Sequence, residues 1–164
     1  MPDPQATIRK ALPSDANAIF GVHRASVRVL CASAYSAEHI ESWFEDRTPE
    51  IYASALSSGH VWVAEHRGRI IGFVGVQPGE ITLLFVSPEF AGQGVGCSLF
   101  ELALSIAGGG PEQAIIVVAT KNSESFYAAY GFVAVEEQAF VRGTQGLQYP
   151  VVKMQLHSGV HVQA

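Results

Sequence analysis

The stretch that decides the fold is Val86-Ser87-Pro88-Glu89-Phe90-Ala91-Gly92-Gln93-Gly94-Val95-Gly96. It stands between an apolar run at 80–86 and a segment in which Val95, Leu99, Leu102 and Ile106 recur at helical spacing, so it joins a strand to a helix. Three glycines in five residues let successive backbone N–H groups converge on one point without β-carbon clashes, and a helix start adds its own unpaired N–H groups. Such a turn is a cradle for an anion, phosphate above all. A P-loop would need a Gly-Lys-Ser/Thr triplet, and the chain has none. A dinucleotide fingerprint would need a small residue three after Gly96 and an acid about 20 positions further on. Leu99 fills the first place and an apolar run at 114–119 covers the second, so that motif fails too. Glycines that merely close a tight connection are the plain alternative.

Working outward, three strands precede the turn: 60–66, a turn at Arg67-Gly68, then 69–76, a turn at Pro78-Gly79, and 80–86. Before them come a strand at 7–12 and a helix opened by Pro13-Ser14-Asp15, with Ile19, Val22, Ser26 and Val29 on one stripe. Short helices follow at 37–44 and 49–57. After the turn, Gly108-Gly109-Gly110-Pro111 ends the helix, and the wholly apolar 114–119 reads as a strand buried on both faces. Asn122 can cap a helix over 123–130, with Gly131 as a left-handed stop, and strands at 132–138 and 149–156 close the chain. The order predicts an α/β (α+β) fold, a mixed and mostly antiparallel sheet of six to seven strands with helices on both faces.

The 164 residues fit a single domain over 1–164, long enough to bury about 70% of the unfolded surface without metal or disulfide staples. Only 15% of residues are charged and 48% are hydrophobic, against about 25% charged in an average soluble domain. A net charge of −5 and the lack of a Lys/Arg stripe argue against nucleic acid as a partner. No apolar run approaches the roughly 18 residues of a membrane span. The start, Met1-Pro2-Asp3-Pro4-Gln5, lacks the features of a signal peptide, so a cytoplasmic protein is expected. Cys31 and Cys97 read as free thiols. The six histidines are scattered; His157 and His161 stand four apart without a third ligand, and no metal is expected.

The run Val86-x-Pro88 followed by Gly92-x-Gly94-Val95-Gly96-x-x-Leu99 resembles the acyl-CoA-binding motif of the GCN5-related N-acetyltransferases, Arg/Gln-x-x-Gly-x-Gly/Ala. Asn122-x-x-x-Phe126-Tyr127-x-x-x-Gly131-Phe132 resembles the second signature of that family, in the right order and at the right separation. The resemblance spans 7–156, with one departure: Ala91 stands where the family prefers Arg or Gln. It implies that the fourth and fifth strands splay apart to admit the pantetheine arm. Phe85 and Val86 would then offer backbone groups to pantetheine, and the N–H groups of Gly92, Gln93, Gly94, Val95, Gly96 and Cys97 would hold the pyrophosphate. Asn122 and Tyr127 would meet the sulfur end, with Tyr127 as general acid and Glu80 as candidate base. The acceptor pocket would be walled by Cys31, Tyr35, His39 and Trp43 on one side and Phe140 or Gln148 on the other.

The chemistry sets the same demands. An amine with pKa about 10.4 must lose a proton before it attacks, and a leaving thiolate comparable to a cysteine near pKa 8.5 benefits from a donor. A tyrosine hydroxyl can serve, though Tyr127 also reads as one aromatic among Phe126 and Tyr130 on an amphipathic helix. Glu80 shares its strand face with Thr82, away from Ile81, Leu83 and Phe85; it reads equally as a base acting through water and as a solvated residue after a turn. Asn122 serves as cap, cofactor contact or both. Tyr35, His39 and Trp43, four apart, form either a packing stripe or a pocket wall. The resemblance implies acetyl transfer from acetyl-CoA to a primary amine of a small molecule or protein, by direct attack in a ternary complex. The rival is a CoA-binding regulatory or interaction module. The acidic chain would attract cationic amines, and its apolar surplus would line either a homodimer face or an open acceptor cleft.

Overall fold

Left-handed backbone at Arg67 (φ 51°) and Gly68 (φ 76°) closes a two-residue turn that lays β2 (Val61–His66) against β3 (Arg69–Gln77). Pro78 and Gly79 (φ 80°) do the same between β3 and β4 (Glu80–Val86). The structure, a computed structural model, describes residues 6–108 and 113–157. The expected stop at Gly109-Gly110-Pro111, the segment 1–5 and His161 lie outside the described residues.

The remaining elements are β1 (Thr7–Lys10), α1 (Ala16–Leu30), α2 (Ala37–Ser42), α3 (Ala53–Ser57), α4 (Val95–Ala107), β5 (Ile115–Thr120), α5 (Glu124–Ala129), β6 (Val133–Arg142) and β7 (Leu147–Leu156). The seven strands form one sheet in the order β1-β2-β3-β4-β5-β7-β6, antiparallel everywhere except between β4 and β5. The mixed sheet of the sequence reading is therefore present. β4 and β5 pair only at Glu80↔Ile116 and Ile81↔Val117, and beyond those residues they part, so the expected splay is present as well.

A β-bulge accompanies the parting. Val76 pairs with Ile81 and Gly75 with Leu83, which leaves Thr82 as an extra residue in β4. The expected alternation fails there: Ile81, Leu84 and Val86 pack toward the α4 side, while Leu83 and Phe85 pack toward the α1 side. Ile81, Leu83 and Phe85 therefore do not share one face, because the bulge reverses the alternation between Ile81 and Leu83.

Helices cover both faces. On one, Ile19 and Val22 of α1 with Tyr52 and Leu56 pack on Val61, Val63 and Phe73. On the other, Val95, Leu99, Phe100 and Ala103 of α4 pack on Val74, Val76 and Ile81. Two helical stripes differ from expectation. The α1 arc is Ile19, Val22, His23, Ser26 and Val27, with Val29 exposed at its edge. The α4 arc is Val95, Leu99, Phe100, Ala103 and Ala107, rotated so that Ile106 faces out. Gly72 of β3, opposite Val95 and Leu99, lets this helix lie close on the sheet. A third expectation also changes: β5 is not buried on both faces, because Val118 is exposed where β4 has moved away.

A β-carbon at Gly72 would stand 3.0 Å from Leu99 Cδ1, 3.2 Å from Val95 Cγ1 and 3.3 Å from the Phe85 carbonyl oxygen. Gly72→Val should therefore destabilise by about 1–3 kcal/mol through overpacking. Urea unfolding should show a lowered midpoint at an unchanged slope.

Candidate active site

The parting strands open onto the glycine turn. Pro88–Phe90 make one 3-10 turn, and Gly92 (φ 75°) and Gly94 (φ 88°) then take left-handed conformations that lead into α4. An added β-carbon at either glycine meets no atom within 4 Å, so φ requires glycine here and the space above the turn stays open. Ser98 is the first residue of α4 to close a helical bond, onto the Gly94 carbonyl at 3.0 Å. The N–H groups of Val95, Gly96 and Cys97 therefore have no intrahelical acceptor, and no side chain caps them. Gln93 turns its amide back to donate to the Glu89 carbonyl at 3.1 Å. Ala91 contributes no charge, and no Lys or Arg lines the cleft beside the turn.

This cleft has a volume of about 540 Å³ and runs from Gly92, Gly94, Gly96 and Cys97 along Phe85 and Val86 to Asn122 and Tyr127. Eight of the ten expected cofactor residues thus line one surface, while the side chains of Gln93 and Val95 do not. Asn122 lies in a 3-10 turn (Lys121–Ser123), while the residue that precedes α5 is Ser123, so Asn122 is not the cap expected from sequence. Its Oδ1 is buried without a hydrogen-bond partner. Cys31 belongs to the same cleft rather than to an opposite wall; burial pushes its thiol up to about 11, opposed by Asn122 and Thr120 beside it.

On the other side of the splay lies a cavity of about 200 Å³, lined among others by His23, Trp43, Arg47, Thr82, Phe140 and Arg142. The cavity and the cleft share Leu84, Phe85, Thr120, Ser123 and Tyr127. Tyr127 therefore stands where the two meet. Its ring packs on Phe100, Phe126 and Phe132, and burial raises its hydroxyl well above the ordinary tyrosine range.

Tyr35 and His39 do not line the cavity. The Tyr35 hydroxyl donates to the Pro150 carbonyl and accepts from the Lys121 N–H at 3.1 Å. His39 Nε2 meets the Gln148 carbonyl at 2.9 Å and its ring packs on Tyr149. α2 covers only Ala37–Ser42, so the three residues do not form a stripe on one continuous helix. Of the four expected acceptor residues only Trp43 reaches this cavity, together with Phe140. Glu80 lines neither space: it pairs with Ile116 at the closed end of the two strands and accepts from Gln77 Nε2 at 3.0 Å.

His23, Arg47 and Arg142 are the residues that sequence reasoning missed. His23 left a signal, being polar within the apolar stripe of α1. Arg47 lies beyond α2 and Arg142 ends β6, and nothing local marks either.

The family model described as an acetyltransferase (GNAT) domain matches residues 31–155. The chain belongs to this family. A GNAT relative from Escherichia coli (strain K12), the uncharacterized N-acetyltransferase YafP, is 26% identical over 131 residues, covering 80% of this chain and 83% of its own. A GCN5-related N-acetyltransferase from Rhodopseudomonas palustris is 28% identical, with a TM-score of 0.84 over 96% of this chain and 98% of its own. The PaiA N-acetyltransferase of Thermoplasma acidophilum, solved in complex with coenzyme A, shares the fold at 22% identity, with a TM-score of 0.67 over 92% and 99% of the two chains. Among the described residues of this GNAT chain no three His, Cys, Asp or Glu side chains gather as a metal site, and no helix is long and apolar enough to cross a membrane.

His23 gives the site a pH signature. Its Nδ1 is 2.7 Å from the Tyr52 hydroxyl, its ring packs on Phe44, Phe73 and Phe85, and burial holds its pKa down at about 3. Between about pH 6.5 and that value the unfolded chain binds the proton and the folded chain does not. Stability is fully present above pH 6.5 and should fall on acidification by up to about 1.4 kcal/mol per pH unit from this group. His23→Phe should flatten the slope over that window, measured as unfolding free energy against pH for the two proteins.

Proposed function

We propose that this GNAT protein transfers an acetyl group from acetyl-CoA to a primary amine of a small molecule, by direct attack within a ternary complex. The observation that carries the reading is the meeting of the cleft and the cavity at Tyr127. A donor entering along the glycine turn and an acceptor entering past Trp43 would approach each other there.

The residues of the cleft suit a coenzyme A ester. The N–H groups of Gly92, Gln93, Gly94, Val95, Gly96 and Cys97 would take the pyrophosphate, with the positive end of α4 behind them. With Ala91 at the usual Arg or Gln position, this contact rests on backbone alone. Phe85 and Val86 stand on the part of β4 that has left its parallel partner, so their backbone groups on that edge are available to pantetheine amides. The unpartnered Asn122 Oδ1 supplies a buried acceptor for an amide N–H. The bound donor supplies the activated acetyl thioester.

The Tyr127 hydroxyl holds its proton across the physiological range, because burial opposes the phenolate. From that position it stabilises negative charge developing on sulfur and returns a proton to it. The amine proton leaves through water. Glu80 reaches it only through such a chain, since its carboxylate is held at the closed end of β4 and β5.

One observation favours the second reading, a CoA-binding module without transfer: among the described residues no Asp or Glu lines either space. Acetyl-CoA at 100 times its dissociation constant should stabilise the protein by about 2.7 kcal/mol, a rise in Tm of about 5–10 °C. Thiol release with a panel of amines should follow. Tyr127→Phe should lower kcat about 100-fold while leaving acetyl-CoA affinity within about twofold. Unchanged turnover in that variant removes the acid role. A thermal shift without release on any amine points to the module, and no shift at millimolar acetyl-CoA contradicts both readings.

A further inference from the structure

Two cations line the proposed acceptor cavity without an ion-pair partner among the described residues. Arg47 follows α2 and Arg142 ends β6, yet both line the same cavity of about 200 Å³. The Nε atom of each is buried and has no hydrogen-bond partner. Neither guanidinium forms an ion pair among the described residues, although Arg9 pairs with Asp15 and Glu65, and Arg69 with Glu89. The Arg142 guanidinium lies 4.5 Å from the centroid of the Phe140 ring and donates through Nη1 to the Val141 carbonyl at 2.8 Å, which fixes its plane. Burial and the field of Arg47 both oppose its charge, with partial relief from Asp46. Two half-buried like charges that converge from distant parts of the chain, each with a buried and unpartnered Nε, repel each other unless an anion completes the site. Planar guanidinium groups engage oxyanions through paired N–H donors, and the carboxylate is the smallest that fits a cavity of about 200 Å³ beside an amine.

We propose that Arg47 and Arg142 bind the carboxylate of the acceptor, so that the substrate class is a small amine carrying a carboxylate, of amino-acid size. This rests on the acetyltransferase reading for its amine half. The cavity that Arg47 and Arg142 line with Trp43 and Phe140 holds about 200 Å³, room for nothing larger than a small molecule. The local field thereby reverses the expectation from net charge: the chain is acidic at −5, but this pocket attracts anions.

Two measurements test the proposal and separate it from the reading beneath it. The first is binding, followed by the fluorescence of Trp43 in a Trp62→Phe background with coenzyme A present, titrating N-acetylated amino acids against their carboxamides. The carboxylates should bind at least about 10-fold more tightly, and Arg47→Gln or Arg142→Gln should each remove most of that preference. The second is thiol release from acetyl-CoA with amino acids, their amides and their decarboxylated amines, and with aminophosphonates to separate carboxylate from other oxyanions. The acids should exceed the amides and amines about 100-fold in kcat/KM, the difference should lie mainly in KM, and lysine at either arginine position should restore part of it. Thermal unfolding of the glutamine variants should be unchanged or raised, since each removes an unanswered charge. Equal binding of carboxylates and carboxamides overturns the proposal, as does a preference that survives in both variants or one that favours phosphonates. Carboxylate-selective binding without release from any amine upholds the anion site and overturns the transfer reading instead.

Discussion

The rest of the structure depends on the parting of β4 from β5 after two residue pairs. A parallel pair at the centre of a sheet ordinarily stays closed, since every unpaired backbone group inside a protein is costly. Here the pair opens because β4 carries an extra residue at Thr82 and bends, while β5 is drawn the other way by its full antiparallel pairing with β7. The opening exposes backbone edges and apolar faces together. A chain with few charges can line such a slot, and the exposed Val118 is one consequence of it.

An aromatic group is packed on the side of the slot where the cavity lies. Tyr149 stacks on Phe140 and meets Trp43 edge-on, and Trp43 in turn meets Tyr35. The Tyr35 hydroxyl ties this group to β7 through Pro150 and to the end of β5 through Lys121. Residues expected to touch the acceptor therefore mostly hold the wall in place. α4 and α5 pack the side where the cleft lies, and there Phe100 contacts Phe126, Tyr127, Tyr130 and Phe132. Tyr127 lines both the cleft and the cavity.

The sequence was most legible where chemistry is carried by adjacent residues. The glycine turn announces itself because left-handed backbone at Gly92 and Gly94 has few alternatives, and the Asn122 to Phe132 signature lies within one turn and helix. The meander was readable from its turns. The bulge at Thr82 was not, because pairing register is fixed by the partner strand, and its displacement changed which side chains share a face. Nor was the cavity of about 200 Å³, whose His23, Arg47 and Arg142 come from positions far apart in the chain. Only His23, a polar residue in an apolar stripe, left a trace.

The central claim is that the chain binds its acyl donor in the splay, through backbone N–H groups of a glycine turn that has no arginine beside it. Amide-resolved NMR during titration with coenzyme A tests this directly. The account predicts saturable shifts concentrated on the amides of Gly92 to Cys97, with smaller ones at Phe85, Val86 and Asn122. Saturable binding that leaves the amides of the turn unmoved, or shifts gathered on another surface, would contradict it.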